Sequence, residues 1–291
     1  MTGQRLLRKT GPFEPKLAKQ LLVHNIWING LRAAVYCYGL SASRYIEYSA
    51  ALVFLSRGPV QSREMAEVGC GHSLLPSFWQ RLGANVLVVD RNRDALKWQN
   101  AKGSKAARGS LSALLADMRY LPFVDAAFDE VSCVSAIEHI PDDGDSTAAF
   151  EIGRILRYDG LFVVSFPLSS GSQTYVQNHW ASYVPPLMQS LFGFVLPTIL
   201  RKLQVDRTRS YFERFYSCED KVKRIVKPSM CLEEDYTALE SGKAVKFVHQ
   251  RLLPTGVFTL LEYVIAKTMR ADKELGNADA IILKLRKKRK T

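Results

Sequence analysis

Hydrophobic and polar positions alternate with two rhythms along this chain. Short apolar runs occupy residues 63–68, 86–90, 114–116, 130–135 and 161–166, and longer segments at 74–82, 94–105 and 146–156 carry helical spacing between them. Continuous apolar strands separated by helices predict a parallel sheet buried on both faces. Right-handed crossovers then make residues 61–167 a doubly wound α/β core. Residues 1–60 read as a helical extension, with Leu17, Leu21, Leu22, Ile26 and Ile28 in a first helix and a second at 45–55 that ends before Gly58-Pro59. Residues 168–242 break the rhythm, and an interruption of that length after a strand predicts an inserted lid. Residues 243–291 return to strands at 244–253 and 278–285, with a helix at 257–269 between them. They complete a mostly parallel, seven-stranded sheet and close in a basic tail from Lys284 to Lys290.

The insertion holds no Asp, Glu, Lys or Arg from Gln173 to Leu200, but Pro185, Pro186 and Pro197 interrupt it. A spanning helix needs about 20 mostly apolar residues, so this stretch predicts an apolar lid or a segment lying on a membrane surface. The net charge of +12 adds attraction to an anionic partner, whether nucleic acid, acidic lipid or a phosphorylated substrate, although a basic soluble surface accounts for it equally. Cys37, Cys70, Cys133, Cys218 and Cys231 are odd in number and form no CxxC pair, which argues against a disulfide framework and against a zinc site. The opening MTGQRLLRKTGPFEP lacks the apolar core of a signal peptide. A cytoplasmic protein without metal is expected.

The chemistry concentrates in Arg63-Glu-Met-Ala-Glu-Val-Gly-Cys-Gly-His-Ser73. Glu67-Val68 ends a strand, Gly69 and Gly71 make a turn, and a helix opens near Leu74. Glycines there permit positive φ and let a ligand press against bare backbone, at the carboxyl end of the first strand, where open α/β folds bind ligands. A dinucleotide fingerprint would need a third glycine at Leu74, and its pyrophosphate would meet the acid at Glu67. S-adenosylmethionine, cationic at its amino group and sulfonium, suits that acid better. The loop alone still leaves the two nucleotides level. Asp90, about 20 positions on, is placed for ribose hydroxyls, which both nucleotides carry. Ala116-Asp117-Met118 before Leu121-Pro-Phe123 offers a carboxylate and an apolar wall to an adenine, and Phe128-Asp-Glu-Val-Ser-Cys-Val-Ser-Ala-Ile-Glu-His-Ile-Pro141 reads as a fourth strand with a polar exit.

Taken in order, EVGCGHS, VVD, AD with LPF, FDEVSCVSAIEHIP and RILRYDGLFVVSFP resemble the class I S-adenosylmethionine-dependent methyltransferases, most closely the methyltransferase type 11 group. The resemblance is close over 61–167, looser over the C-terminal strands and absent over residues 1–60. It implies that Glu67, Gly69 and Gly71 cradle the methionine portion, that Asp90 holds the ribose, and that Asp117 and Met118 meet adenine. Ser135 and Ala136 would line the cofactor. Cys70, Ser73 and Arg91 complete the expected contact set, with no chemistry assigned to the Cys70 thiol.

The resemblance implies an enzyme, and the charge-poor insertion with the apolar helix at 257–269 motivates a small, apolar or lipid-like acceptor. RNA or protein methylation and a non-catalytic cofactor-binding scaffold are the alternatives. Nucleic acid is not favoured, because the basic tail lacks interleaved aromatics and the fourth strand exits as Ser135-Ala-Ile-Glu. The basic termini would contact anionic membrane. His139, just past the fourth strand, is a weak candidate base, and a structural hydrogen bond explains it at least as well. His179 and Tyr211 are acceptor-facing candidates in the insertion. Arg214 to Asp220, aromatic and basic, reads as lid slightly ahead of sheet-edge packing.

Overall fold

The computed structural model describes residues 15–30, 41–55, 60–103, 107–178, 210–240, 259–267, 269–271 and 278–288. The helical extension forms α1 (Pro15–Asn29) and α2 (Ala42–Leu55). The core alternates β1 (Glu64–Val68), α3 (Leu75–Leu82), β2 (Asn85–Asp90), α4 (Arg93–Lys102), β3 (Leu111–Leu115), β4 (Phe128–Val134), α5 (Gly144–Ile155) and β5 (Leu156–Pro167). A two-stranded ribbon, β6 (Gln173–Asn178) and β7 (Ser210–Phe215), follows, then α6 (Cys218–Asp220) with a π-helical continuation at Lys221–Val226. β8 (Cys231–Glu240), α7 (Thr259–Ala266), the short β9 (Arg270–Ala271) and β10 (Ala280–Lys287) complete the described chain.

The main sheet runs β3-β2-β1-β4-β5-β10-β8-β9. Its first five strands are parallel, and β10 lies antiparallel between β5 and β8. The doubly wound, mostly parallel expectation is thus met, with seven full strands and a two-residue edge. Alternation explains the two covered faces. Met65, Val86, Val88, Leu161 and Val163 pack under α2 and α3, while Ala66, Val68, Val89, Phe162 and Val164 pack under α5. Each successive side chain reverses face, so a continuous apolar run feeds two cores. On the α5 side, a Cβ on Gly153 would stand 2.0 Å from the Ser229 carbonyl oxygen, so only hydrogen fits where α5 meets the turn before β8.

Two boundary expectations need correction. β8 falls inside the segment expected as insertion, yet it is a strand of the main sheet. The strand expected at 244–253 lies outside the described residues. The basic tail also begins later than expected, because β10 continues to Lys287. Lys284 is fully buried and ion-paired to Glu234 at 2.9 Å, Arg286 pairs with the same carboxylate, and Lys287 Nζ donates to the Leu156 carbonyl at 2.6 Å. These cations staple β10 to its neighbours and are not free to coat a membrane. Among the described residues, no helix is long and apolar enough to cross one.

Candidate functional site

The carboxyl ends of β1, β2 and β4 converge with α2. Gly69 and Gly71 have positive φ, 72° and 45°. A Cβ on Gly69 would lie 2.5 Å from Ala136 Cβ and 2.9 Å from Met118 Cε, so the turn nests against the β4 exit only as glycine. A Cβ on Gly71 would meet nothing within 4 Å, which leaves open space over bare backbone. Buried Gln99 of α4 clamps the loop from outside, its Nε2 donating to the carbonyls of Gly71 at 3.1 Å and Ser73 at 3.0 Å.

Asp90 joins this loop to the β2 exit. Its carboxylate accepts from Gly71 N at 2.8 Å and from Asn92 N at 2.8 Å. Each oxygen keeps a further lone pair, the requirement for receiving ribose hydroxyls as well. Cys70 is buried, and burial pushes its thiol far up, so it stays an unreactive filler beneath the loop. Asp117 is already gripped by Arg119, whose Nε and Nη2 donate to it at 3.1 and 2.7 Å, and exposed Arg91 stands 3.6 Å away. The Arg119 hydrogen bond holds Asp117 below the usual carboxylate range, so any adenine amino group would share this acceptor.

Glu67 is the most unusual group. It is 1% exposed, burial pushes its pKa up to about 8, and Oε2 has no hydrogen-bond partner among the described residues. Its neighbour Ser73 hydrogen-bonds both Glu67 and Tyr48 of α2. A buried carboxyl with an unsatisfied oxygen beside an open glycine turn fits a cationic group, as the donor set of S-adenosylmethionine requires.

The extension, absent from the resemblance, supplies part of the site. Glu47 of α2 accepts from Ser135 Oγ at 3.0 Å and Ser165 Oγ at 3.1 Å, and pairs with Arg44 at 2.8 Å. Ser135 itself sits at φ 44°, a left-handed conformation that costs a non-glycine residue about 1 kcal/mol. Glu47 and the Ser165 hydroxyl, which accepts from Ser135 N at 3.0 Å, hold it there. The sequence signal was an acid and an arginine three apart in an otherwise apolar helix.

His139 follows a short 3-10 turn, Ile137–His139. Its Nδ1 lies 3.0 Å from the Phe212 carbonyl on β7, so Nδ1 carries the proton and Nε2 the lone pair of the neutral ring. Nε2 stands 3.7 Å from Glu138, a buried carboxyl that desolvation keeps far above its usual pKa. Arg214 and Tyr216 do not line this space. Both bind buried Asp145 of α5, together with Arg224. Ser217 and Asp220 cap α6. Half-buried Glu213 is the ribbon residue that does feel Arg44, and burial raises its pKa. His179 lies outside the described residues, as does the side chain of Tyr211.

Residues 66–164 match the family model described as a methyltransferase domain. This segment is a methyltransferase domain. The domain is 30% identical over 87 residues to the ubiquinone biosynthesis O-methyltransferase of Ralstonia nicotianae, covering 30% of this chain and 37% of that protein. The chain is 29% identical over 147 residues to the malonyl-[acyl-carrier protein] O-methyltransferase of Hamiltonella defensa, covering 50% of this chain and 54% of that protein. The chain thus spans about a third to half the length of these curated relatives. A putative S-adenosylmethionine-dependent methyltransferase from Listeria monocytogenes has the same fold at a TM-score of 0.54 and 9% identity, over 84% of this chain and 98% of that one. The two chains therefore share one fold, which extends beyond the matched segment.

Proposed function

We propose that this chain is an S-adenosylmethionine-dependent methyltransferase acting on a small, apolar or lipid-like acceptor. The observation that carries the cofactor is the Glu67–Ser73 turn, in which a buried, half-satisfied carboxyl adjoins glycine backbone open to a ligand. Glu67, Gly69 and Gly71 would hold the methionine portion, Asp90 the ribose, Met118 and Asp117 the adenine side, and Ala136 the floor beneath. Arg91 and Ser73 border them.

When bound, the cofactor supplies an electrophilic methyl group, so the protein's task is to position the acceptor in line with it. Glu67 offsets the ligand's positive charge. His139, with its Nδ1 proton held by the Phe212 carbonyl, presents Nε2 as the basic nitrogen for an acceptor hydroxyl. A curated relative supports a small acceptor by its name, a ubiquinone biosynthesis O-methyltransferase. Incubation with methyl-labelled cofactor and a fractionated extract tests the acceptor. Label is expected in the small-molecule or lipid fraction, and label confined to RNA or protein overturns that assignment. Calorimetry with the unmodified chain tests the cofactor, and absence of binding removes the whole reading.

A further inference from the structure

A groove of about 600 Å³ runs between α1 and α3, on the outer side of the layer that covers the sheet. The outward stripe of α1 is exposed at Lys16, Lys19, Gln20, Val23 and Trp27, spaced at one face of a helix. Val23 and Trp27 are 57% and 58% exposed, and Leu82 on the facing helix is 41% exposed. Lys16, Lys19 and Arg81 line the groove, and among the described residues no carboxylate does.

Arg81 is held in place by a hydrogen-bond chain. Ser77 Oγ donates to the Leu74 carbonyl at 3.0 Å, so it accepts from His24 Nε2 at 2.8 Å. His24 Nδ1 is then an acceptor and receives Arg81 Nη1 at 3.0 Å. Burial, and then Arg81, lower the His24 pKa to about 4, so the ring stays neutral and the arginine keeps its acceptor. The guanidinium carbon lies 4.7 Å from the Trp27 ring centre. One cation is thus preset beside an exposed indole, with two lysines along the same rim.

We infer that the α1–α3 face is a docking surface for an acidic phospholipid bilayer, with Trp27 and Val23 entering the interface and Lys16, Lys19 and Arg81 meeting lipid phosphates. The argument is charge complementarity. A groove whose described lining holds three cations, no acid and apolar walls repeats the composition of helices that lie in the membrane plane. Indole rings with one apolar body and one polar tip favour that depth. The inference is independent of the cofactor reading, and it moves membrane contact from the termini to a folded face.

The test is sedimentation of the full chain with vesicles of phosphatidylcholine alone or mixed with phosphatidylserine, at low and high salt. Binding is expected to the mixed vesicles alone and to weaken with salt. Lys16→Glu with Lys19→Glu should lower it by about 25-fold or more, since each basic residue near the surface counts about fivefold and reversal exceeds removal. Trp27→Ala should also weaken it. Lys223→Glu with Lys227→Glu, an equal charge change beside α6 on the opposite face, should bind as the unmodified chain does. Unchanged cofactor affinity in all variants checks that the fold is intact. Equal binding to both vesicles, no binding, or equal losses from the two double variants overturns the proposal. So does a dimer in size-exclusion chromatography that Trp27→Ala dissolves, because the groove would then be occupied by a second copy.

Discussion

Two carboxyl groups lie at nearly the same depth on opposite faces of the sheet and behave oppositely. Asp145 on α5 is fully buried and accepts from Arg214, from Arg224 and from the Tyr216 hydroxyl, the last at 2.9 Å. Burial works against its charge, but the two arginines outweigh it and keep Asp145 below the usual range. Glu67 has only the Ser73 hydroxyl and the field of Arg44, and burial outweighs both and carries it to about 8. Depth is shared, so the partners decide. A saturated carboxylate locks elements together, whereas an unsatisfied one stores a preference for an incoming cation.

The comparison can be broken most severely at the turn. Gly69→Arg drives side-chain atoms into Ala136 and Met118, and calorimetry should show no cofactor binding in a variant whose circular dichroism is intact. Retained affinity would end the assignment of this loop. Next in size, Asp145→Ala strips two near-buried guanidinium groups of their shared anion and should cost about 3–5 kcal/mol in urea unfolding. Its cofactor affinity should be unchanged, since the lock and the binding turn are separate.

Glu67 gives a smaller, pH-dependent signature. Its folded pKa is raised, so the folded state holds a proton that the unfolded chain releases from about pH 4.5 upward. Stability from this group is present below that pH and declines as pH rises toward 8. Glu67→Gln should flatten the decline. A cationic ligand should draw the pKa down, so binding near about pH 6.5 should release a proton, visible as a heat that depends on the buffer. A buffer-independent heat would leave Glu67 out of the cofactor contact. Smallest of all, Ser135→Ala removes one hydroxyl donor to Glu47 and should cost about 1–3 kcal/mol at most in thermal unfolding.

The parallel half of the fold was legible because its strands are buried on both faces and read as unbroken apolar runs. β8 was not. Its first half carries three acids in a row, Glu233 to Asp235, and is largely exposed, with Glu234 serving as counter-ion to Lys284 and Arg286 of β10. The same pairing hid the nature of the basic tail, since a lysine inside a strand and a lysine in solvent look alike without a partner in view. In the site, the glycine turn and Asp90 were legible as local motifs. The share of α2 was not, because Glu47 reaches Ser135 and Ser165 across 88 and 118 residues. Ribbon residues divided for a similar reason. Arg214 looked like a lid residue until Asp145 was found beneath it.

The ribbon has a consequence for how such a protein can change. β6 and β7 pair from Gln173 opposite Phe215 to Asn178 opposite Ser210, and Leu168 bridges Tyr216 at their base. The chain leaves and rejoins the body at one stem, pinned through Arg214 and Tyr216 to α5. Where two chain ends are held together by such a stem, length added between them costs little in closure entropy, about 0.6 kcal/mol for each doubling of a flexible segment. The stem thus insulates the body from what it carries, because Asp145 holds Arg214 and Tyr216 at the base of the ribbon.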